Sequence, residues 1–159
     1  SCKIVADLKT MDAGFYESTP FFFAGAHIVT VLGASDPGTI KGVVQAAAYH
    51  KGAMAQVDLI SIDNKIEKAL LAEDLGAHIV GIHTGLDAQS IGQTPFKTLN
   101  DIVRLKLSIK ISIAGGITKH TVCRAIDSGA DIVVCGAAIY DSPDPLKAAI
   151  EIREAVERG

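Results

Sequence analysis

The sequence predicts an α/β protein of the TIM (β/α)8-barrel class, on three observations. First, short runs rich in valine and isoleucine recur along the 159 residues, at 4–8, 27–32, 53–60, 78–83, 109–114 and 131–135. Second, the stretches between these runs have helical spacing or good helix formers, so strands and helices alternate. Third, the runs are mainly apolar, as in parallel strands covered on both faces by crossover helices. Repeated right-handed crossovers favour closure into a barrel.

Three helices are clear from the sequence, over 39–50, 65–75 and 145–157. Asp63 or Asn64 can cap the second of these helices, and Pro143 and Pro145 stand where the third would begin. Glycine, the expected C-terminal cap of a helix, precedes three of the strands, at Gly25, Gly76 and Gly129. No GxGxxG follows the first strand, which disfavours a doubly wound dinucleotide-binding sheet.

The segment before the second strand does not fit a regular amphipathic helix. Pro20 falls where the first helix should continue, and Phe21, Phe22 and Phe23 follow without helical period. We expect these three rings to pack in a core or an interface rather than to stack on a ligand. A complete barrel of this class has eight strand-helix units in roughly 250 residues. We count six units here, so two are missing.

Composition narrows the possible partners. A hydrophobic fraction of 48% predicts one globular domain over residues 1–159. The formal net charge of -3, without a run of lysine or arginine, disfavours nucleic acid and anionic membranes as partners. The apolar runs are too short to span a membrane. Cys2, Cys123 and Cys135 are odd in number and lack metal-ligand spacing, which favours a reducing, cytoplasmic setting.

The first strand ends in a group of charged residues. Alternation along a strand points Asp7 and Lys9 to the same side, where a carboxylate and an ammonium keep each other ionised. Such a pair can bind a cation, orient a hydroxyl or move a proton beside a carbonyl. Asp12 lies just beyond, in a loop. The alternative is that Asp12 caps the next helix and that Asp7 and Lys9 form a structural ion pair.

Two later strands add polar side chains at the same end of the predicted barrel, where chemistry gathers in this class. Asp58 lies in an apolar run and needs a partner, which Lys9 or a substrate hydroxyl can supply. His83 ends the fourth strand and could shuttle a proton, although a structural histidine is about as common there.

Glycine follows each of the last two strands, at Gly115-Gly116 and at Gly136-Ala137. Glycine lets backbone N–H groups approach an oxyanion, and the loops after the last two barrel strands commonly hold phosphate. Such residues also serve plain tight turns. Their occurrence after two neighbouring strands favours a phosphate site.

Several motifs together resemble the 3-hexulose-6-phosphate synthase family, within the orotidine monophosphate decarboxylase suprafamily of (β/α)8 barrels. The suprafamily signature Asp-x-Lys-x-x-Asp is present at Asp7, Lys9 and Asp12. The other matching motifs are 29–33, 83–89 with Gly92 and Pro95, 114–117 and 136–139. The resemblance covers nearly the whole chain and aligns its six strands with strands three to eight of the barrel.

The resemblance implies a magnesium-dependent aldol addition of formaldehyde to the enediolate of D-ribulose 5-phosphate, giving D-arabino-3-hexulose 6-phosphate. It makes Asp7 a magnesium ligand, Lys9 the stabiliser of the enediolate, Asp58 a substrate-orienting group and His83 the acid or base. Magnesium suits such a site, being a hard cation bound by one or two carboxylates plus substrate oxygens. The Gly115-Gly116 and Gly136-Ala137 backbones would bind the phosphate.

The resemblance also implies a homodimer in which Asp12 reaches into the neighbouring site. A related decarboxylase, acting on 3-keto-L-gulonate 6-phosphate, uses the same Asp-Lys-Asp frame but carries an arginine where this chain has Leu86, which favours the synthase. The family's first two strands, with a catalytic aspartate and a metal-binding glutamate, have no counterpart here. The chain could therefore be an inactive barrel fragment that still binds phosphate. We also expect the strands at 4–8 and 131–135 to present open edges that another chain or subunit covers.

Overall fold

The computed structural model describes residues 2–158, and strands and helices alternate along them as expected. The strands are β1 (Val5–Thr10), β2 (Ile28–Leu32), β3 (Met54–Asp58), β4 (Ile79–His83), β5 (Lys110–Ala114) and β6 (Ile132–Val134). The helices are α1 (Gly14–Phe23), α2 (Pro37–Ala48), α3 (Lys65–Asp74), α4 (Leu86–Ser90), α5 (Phe96–Val103), α6 (Val122–Asp127), α7 (Ala137–Tyr140) and α8 (Pro145–Arg158). Each of the six predicted strands is present, with ends shifted by at most two residues.

The chain divides into two compact units, which we describe separately. The first unit runs up to Gly81 and includes Leu107–Ile109; the second consists of Ile82–Lys106 and the chain from Lys110 onward. In the first unit, β1 pairs with β2, β2 with β3 and β3 with β4, all parallel. In the second unit β5 pairs with β6, also parallel. The assignment of the strands to positions three to eight of a barrel, and of residues 1–159 to one domain, stays a prediction.

Strands β2, β3, β4 and β5 are largely buried, as their apolar sequences predict. Val29, Val31 and Val57 of the first unit have no exposed surface. In the second unit Ile113 on β5, with Leu99 and Ile102 of α5, is equally buried. Successive residues of one strand point to opposite faces, so burial of neighbours such as Ile28 and Val29 requires a cover on each side.

The helix ends follow the predicted chemistry. Asn64 caps α3 by accepting a hydrogen bond from the Glu67 N–H at 3.2 Å. α8 begins at Pro145, and α2 begins two residues before its predicted start because Pro37 supplies its first turn. The three glycines expected to end helices have positive φ angles, 99° at Gly25, 81° at Gly76 and 98° at Gly129. Only glycine adopts this conformation without strain.

The phenylalanine run lies inside α1, which continues through Pro20. Phe22 is 4% exposed and stacks on His50, so the expectation of core packing holds for this ring. Phe21 and Phe23 are exposed. The run therefore divides between the core and the surface, because three consecutive helical residues face different directions.

The two predicted edge strands each have one partner strand among the described residues. Val5 on β1 and Val134 on β6 are about half exposed, at 52% and 46%. Both strands thus present apolar side chains and unpaired backbone groups. Within residues 2–158, no helix combines the length and apolarity needed to cross a bilayer.

Candidate active site

Three charged side chains meet at the carboxyl ends of the strands in the first unit. The Lys9 Nζ lies 2.6 Å from Asp7 Oδ2 and 3.4 Å from Asp58 Oδ2. Asp58 is buried at the end of β3, and its other carboxylate oxygen accepts a hydrogen bond from the Ile60 N–H at 2.9 Å. The pairing of Asp58 with Lys9 expected from the sequence is present. A single ammonium is thereby held between two carboxylates.

A bulge in β1, and not regular strand alternation, brings Asp7 and Lys9 together. Ala6 pairs with Val29 of β2 and Thr10 with Val31, so three residues of β1 stand opposite Thr30 alone. Lys9 takes up part of the excess length with a φ of 49°, in the left-handed region. The sequence correctly predicts that the two side chains meet, but the reason that it offers is wrong.

Thr30 is a member of this cluster that sequence reasoning missed. Its hydroxyl donates to Asp7 Oδ1 at 2.7 Å and accepts from the Lys9 N–H at 3.0 Å. A polar residue in the middle of the otherwise apolar β2 is the signal that could have identified it, because a buried hydroxyl needs a partner.

The cluster favours the charged form of Lys9. Partial burial alone would lower the pKa of Lys9, but the hydrogen bond to Asp7 and the negative charges of Asp58 and Asp7 outweigh it, so the pKa lies above its usual value of 10.5. Lys9 is therefore an ammonium at neutral pH. A fixed positive charge at this strand end stabilises negative charge that develops on a bound molecule.

Asp12 does not cap α1. The cap residue of that helix is Ala13, with a φ of 48° and no side-chain hydrogen bond to the helix. Asp12 Oδ1 accepts from the Ala13 N–H at 2.7 Å, and the side chain is exposed. The capping alternative is therefore wrong, because the Asp12 carboxylate bonds to the N–H before the first helical turn. Its role across a dimer interface stays a prediction.

In the second unit the two glycines predicted to bind phosphate after β5 form a tight turn that packs against neighbouring residues. Gly115 and Gly116 have φ angles of 105° and 69°. A Cβ on Gly115 would lie 2.3 Å from the Thr84 carbonyl oxygen, so glycine is required there by close packing. Gln89 Nε2 donates to the same Thr84 oxygen at 2.8 Å, and the side-chain oxygen Gln89 Oε1 would lie 3.3 Å from a Cβ on Gly116. Thr84 and Gln89 are thus supports of this turn that the sequence did not single out.

The other two predicted phosphate residues lie at the start of α7. Gly136 is the N-terminal cap residue, and Ala137 is the first residue of the helix. The first N–H groups of a helix have no partner within it. A neighbouring cavity of about 450 Å³ is lined by Ala138, Lys119 and Lys147 among others, and by none of the four predicted phosphate residues. His83 ends β4, and its burial is intermediate.

The residues present fit a magnesium ion that is bound mainly by substrate and water. Residues 2–158 contain no group of three or more histidine, cysteine, aspartate or glutamate side chains able to enclose a metal. Magnesium needs only one or two protein carboxylates, with substrate oxygens and water completing its shell. The Asp7 side chain is 57% exposed and can supply one of them.

The match to a family model decides the membership of the chain. Residues 1–152 match the model described as orotidine 5'-phosphate decarboxylase / HUMPS family. The chain belongs to this family. A relative from Methylomonas aminofaciens, named 3-hexulose-6-phosphate synthase, is 54% identical over 150 residues, which cover 94% of this chain and 71% of the relative.

Two solved structures show how far the likeness extends within the orotidine 5'-phosphate decarboxylase / HUMPS family. The 3-hexulose-6-phosphate synthase from Salmonella typhimurium superposes with a TM-score of 0.92 at 36% identity, covering 98% of this chain and 74% of that one. The 3-keto-L-gulonate-6-phosphate decarboxylase from Vibrio cholerae superposes with a TM-score of 0.79 at 26% identity, covering 97% and 72%. The (β/α)-barrel type of fold predicted from the sequence is confirmed.

Proposed function

We propose that this chain catalyses the aldol addition of formaldehyde to D-ribulose 5-phosphate, giving D-arabino-3-hexulose 6-phosphate. The observation that carries the proposal is the position of Lys9 between Asp7 and Asp58, in a chain 54% identical to a protein named 3-hexulose-6-phosphate synthase. A partly buried ammonium flanked by carboxylates suits a reaction in which a carbonyl compound passes through an enediolate.

The residues divide the reaction between them. A base, for which His83 is our candidate, removes a proton from C1 of ribulose 5-phosphate, and the C1–H electron pair forms the enediolate. The Lys9 ammonium stabilises the negative charge on the enediolate oxygens, and Asp58 orients a substrate hydroxyl. C1 then attacks the formaldehyde carbon, and the new alkoxide takes up a proton. The backbones of Gly115-Gly116 and Gly136-Ala137 bind the phosphate through their N–H groups.

Asp7 is the proposed protein ligand of a magnesium ion. The bound ion would supply further positive charge beside the substrate oxygens. Asp7 also accepts hydrogen bonds from Lys9 and Thr30, so its orientation is set before any metal binds. We place the reaction in the cytoplasm, where Cys2, Cys123 and Cys135 remain the free thiols that they are in the structure.

Decarboxylation of 3-keto-L-gulonate 6-phosphate is the weaker alternative. The relative of that name from Vibrio cholerae is 26% identical, less than half the identity of the Methylomonas synthase. Leu86, which replaces the arginine expected in the decarboxylase, begins α4 and is exposed. The preference for the synthase from this residue stays a prediction.

The direct test is consumption of formaldehyde by the purified chain with ribulose 5-phosphate and magnesium, against a control containing a chelator. We expect formaldehyde loss and a six-carbon ketose phosphate, both abolished by the chelator. Release of carbon dioxide from 3-keto-L-gulonate 6-phosphate with no formaldehyde loss would replace the proposal by the decarboxylase. Phosphate binding without either turnover would identify an inactive barrel fragment.

We further propose that the chain acts as a homodimer through the aromatic face of α1. Phe15, Tyr16 and Phe23 on α1 and Tyr49 after α2 are exposed, at 45% to 81%. An exposed apolar patch of this kind is typical of an interface. Asp12 lies two residues before the start of α1, so an interface on this face would place its carboxylate near the partner.

Mixed dimers test whether Asp12 acts across the interface. Lys9→Ala and Asp12→Asn variants, each inactive alone, are coexpressed with different tags. If Asp12 serves the partner's site, each mixed dimer has one intact site, and random mixing restores about one quarter of the wild-type activity. If Asp12 serves its own site, both sites of the mixed dimer are defective and no activity returns.

A further inference from the structure

Thr30 occupies a position in the first unit that couples two groups of the proposed site. Its hydroxyl makes two hydrogen bonds, donating to the Asp7 carboxylate and accepting from the Lys9 backbone. A hydroxyl has one proton and can donate once, so its donor is committed to Asp7 and one acceptor lone pair to Lys9. Thr30 is 2% exposed, which removes competition from water.

The backbone around Lys9 requires such a support. Three residues of β1 stand opposite one residue of β2, and the ladder between the strands is interrupted there. Lys9 adopts a φ of 49°, a conformation that residues other than glycine, asparagine and aspartate rarely take. The Lys9 N–H, displaced from the regular ladder by the bulge, bonds to the Thr30 side chain instead. The single residue facing the bulge therefore holds it in place.

We infer that Thr30 is a positioning residue for the aldol reaction: its hydroxyl holds the Asp7 carboxylate and the bulged Lys9 backbone in the arrangement that aims the Lys9 ammonium. This inference rests on the proposed function. Thr30 acts on Asp7 and Lys9, and they act on the substrate. Loss of the hydroxyl allows both groups to move, and a displacement of about 1 Å in a catalytic group can cost 100-fold in rate.

The test compares Thr30→Val, which keeps the shape and removes the hydroxyl, with Thr30→Ser, which keeps the hydroxyl. We expect Thr30→Val to lower kcat and solvent exchange of the C1 proton of ribulose 5-phosphate by about 10- to 100-fold. KM should change little, because the proposed phosphate contacts come from other loops. Thr30→Ser should restore kcat to within a few-fold of wild type.

The matched control is Ser18→Ala. Ser18 is also fully buried in the first unit, but its hydroxyl donates to the Gly14 carbonyl within its own helix, α1. This variant should keep wild-type kcat even if its melting temperature falls. A Thr30→Val enzyme with wild-type kcat, a rise in KM alone, or a Thr30→Ser variant as slow as Thr30→Val would overturn the inference.

A crystal structure of Thr30→Val separates this inference from the proposed function. We expect the separation of Lys9 Nζ and Asp7 Oδ2 to increase from 2.6 Å and the Lys9 backbone to leave its left-handed conformation. If both are unchanged, Thr30 does not position the pair, whatever the reaction. If the wild-type chain shows no turnover, the proposed function fails, and the same structure still decides the role of Thr30.

Discussion

The two units hold their proposed functional residues in different ways. The first unit uses charged side chains, with Lys9 between Asp7 and Asp58 and a hydroxyl from Thr30 behind them. The second unit uses backbone, in the glycine turn after β5 and at the start of α7. Side-chain sites fail when atoms are removed, whereas close backbone turns fail when atoms are added. This difference predicts opposite responses to substitution.

The largest effect is expected from removing the Lys9 ammonium. Lys9→Ala should lower formaldehyde-dependent turnover by about 1,000-fold or more, because the developing enediolate loses its fixed positive charge. Solvent exchange of the C1 proton of ribulose 5-phosphate, followed by NMR in D2O, should be lost in parallel. Lys97→Ala is the control, since the Lys97 side chain is 92% exposed and its ion pair is with Asp101 on the same helix. Wild-type C1 exchange in Lys9→Ala would refute the role of this residue.

The next effect comes from adding one methyl group to the second unit. In Gly115→Ala the new Cβ would lie 2.3 Å from the Thr84 oxygen, at a φ of 105°. We expect a loss of about 3 kcal/mol in the free energy of unfolding and a higher KM for the sugar phosphate.

Gly25→Ala is the matched control for this substitution. Gly25 has a similar φ of 99°, and a Cβ there would meet no atom within 4 Å. Its free energy of unfolding should fall by only about 1 to 2 kcal/mol, the strain of an alanine in the left-handed conformation, and KM should not change. Equal losses in urea unfolding of the two variants would mean that packing against Thr84 does not determine the turn.

The smallest expected effect is on the pH dependence of stability, which histidines in the first unit should control. In the first unit His27 Nδ1 accepts from the Ile4 N–H and His78 Nδ1 from the Ala55 N–H, both at 3.1 Å. In the second unit an aspartate takes the place of the histidine. Asp131, just before β6, accepts through Oδ2 from the Ile111 N–H of β5 at 2.8 Å. An imidazole nitrogen that takes up a proton can no longer accept a hydrogen bond.

Burial lowers the pKa of His78 below its usual 6.5, so the fold favours the neutral ring. The contribution of neutral His78 to the free energy of unfolding is complete above pH 6.5. It decreases as the pH falls from there toward the pKa of His78 in the folded state. Urea midpoints measured from pH 7.5 to pH 5 should therefore fall for the wild type. They should fall less for His78→Asn, which keeps an acceptor that does not titrate. Equal slopes for both proteins would exclude His78 as a source of the acid sensitivity.

Local patterns predicted much of this molecule. The valine and isoleucine runs predicted the strands, because buried parallel strands have no polar face. Gly25, Gly76 and Gly129 predicted helix ends, because a positive φ favours glycine at any such position. The Asp-x-Lys spacing predicted the meeting of Asp7 and Lys9. Local patterns did not predict which phenylalanines of the run are buried or which residue caps α1, because both depend on what packs around each residue.

The sequence by itself determined the order of the elements, the class of fold and the charged residues of the site, since these follow from local periodicity and residue chemistry. The tertiary structure alone decided the bulge in β1 and the role of Thr30. A bulge exists only relative to a partner strand, and the hydrogen bond that supports it joins residues 21 positions apart. The polar Thr30 in an apolar strand signals that its hydroxyl needs a partner, but which residue it meets depends on how the two strands pair.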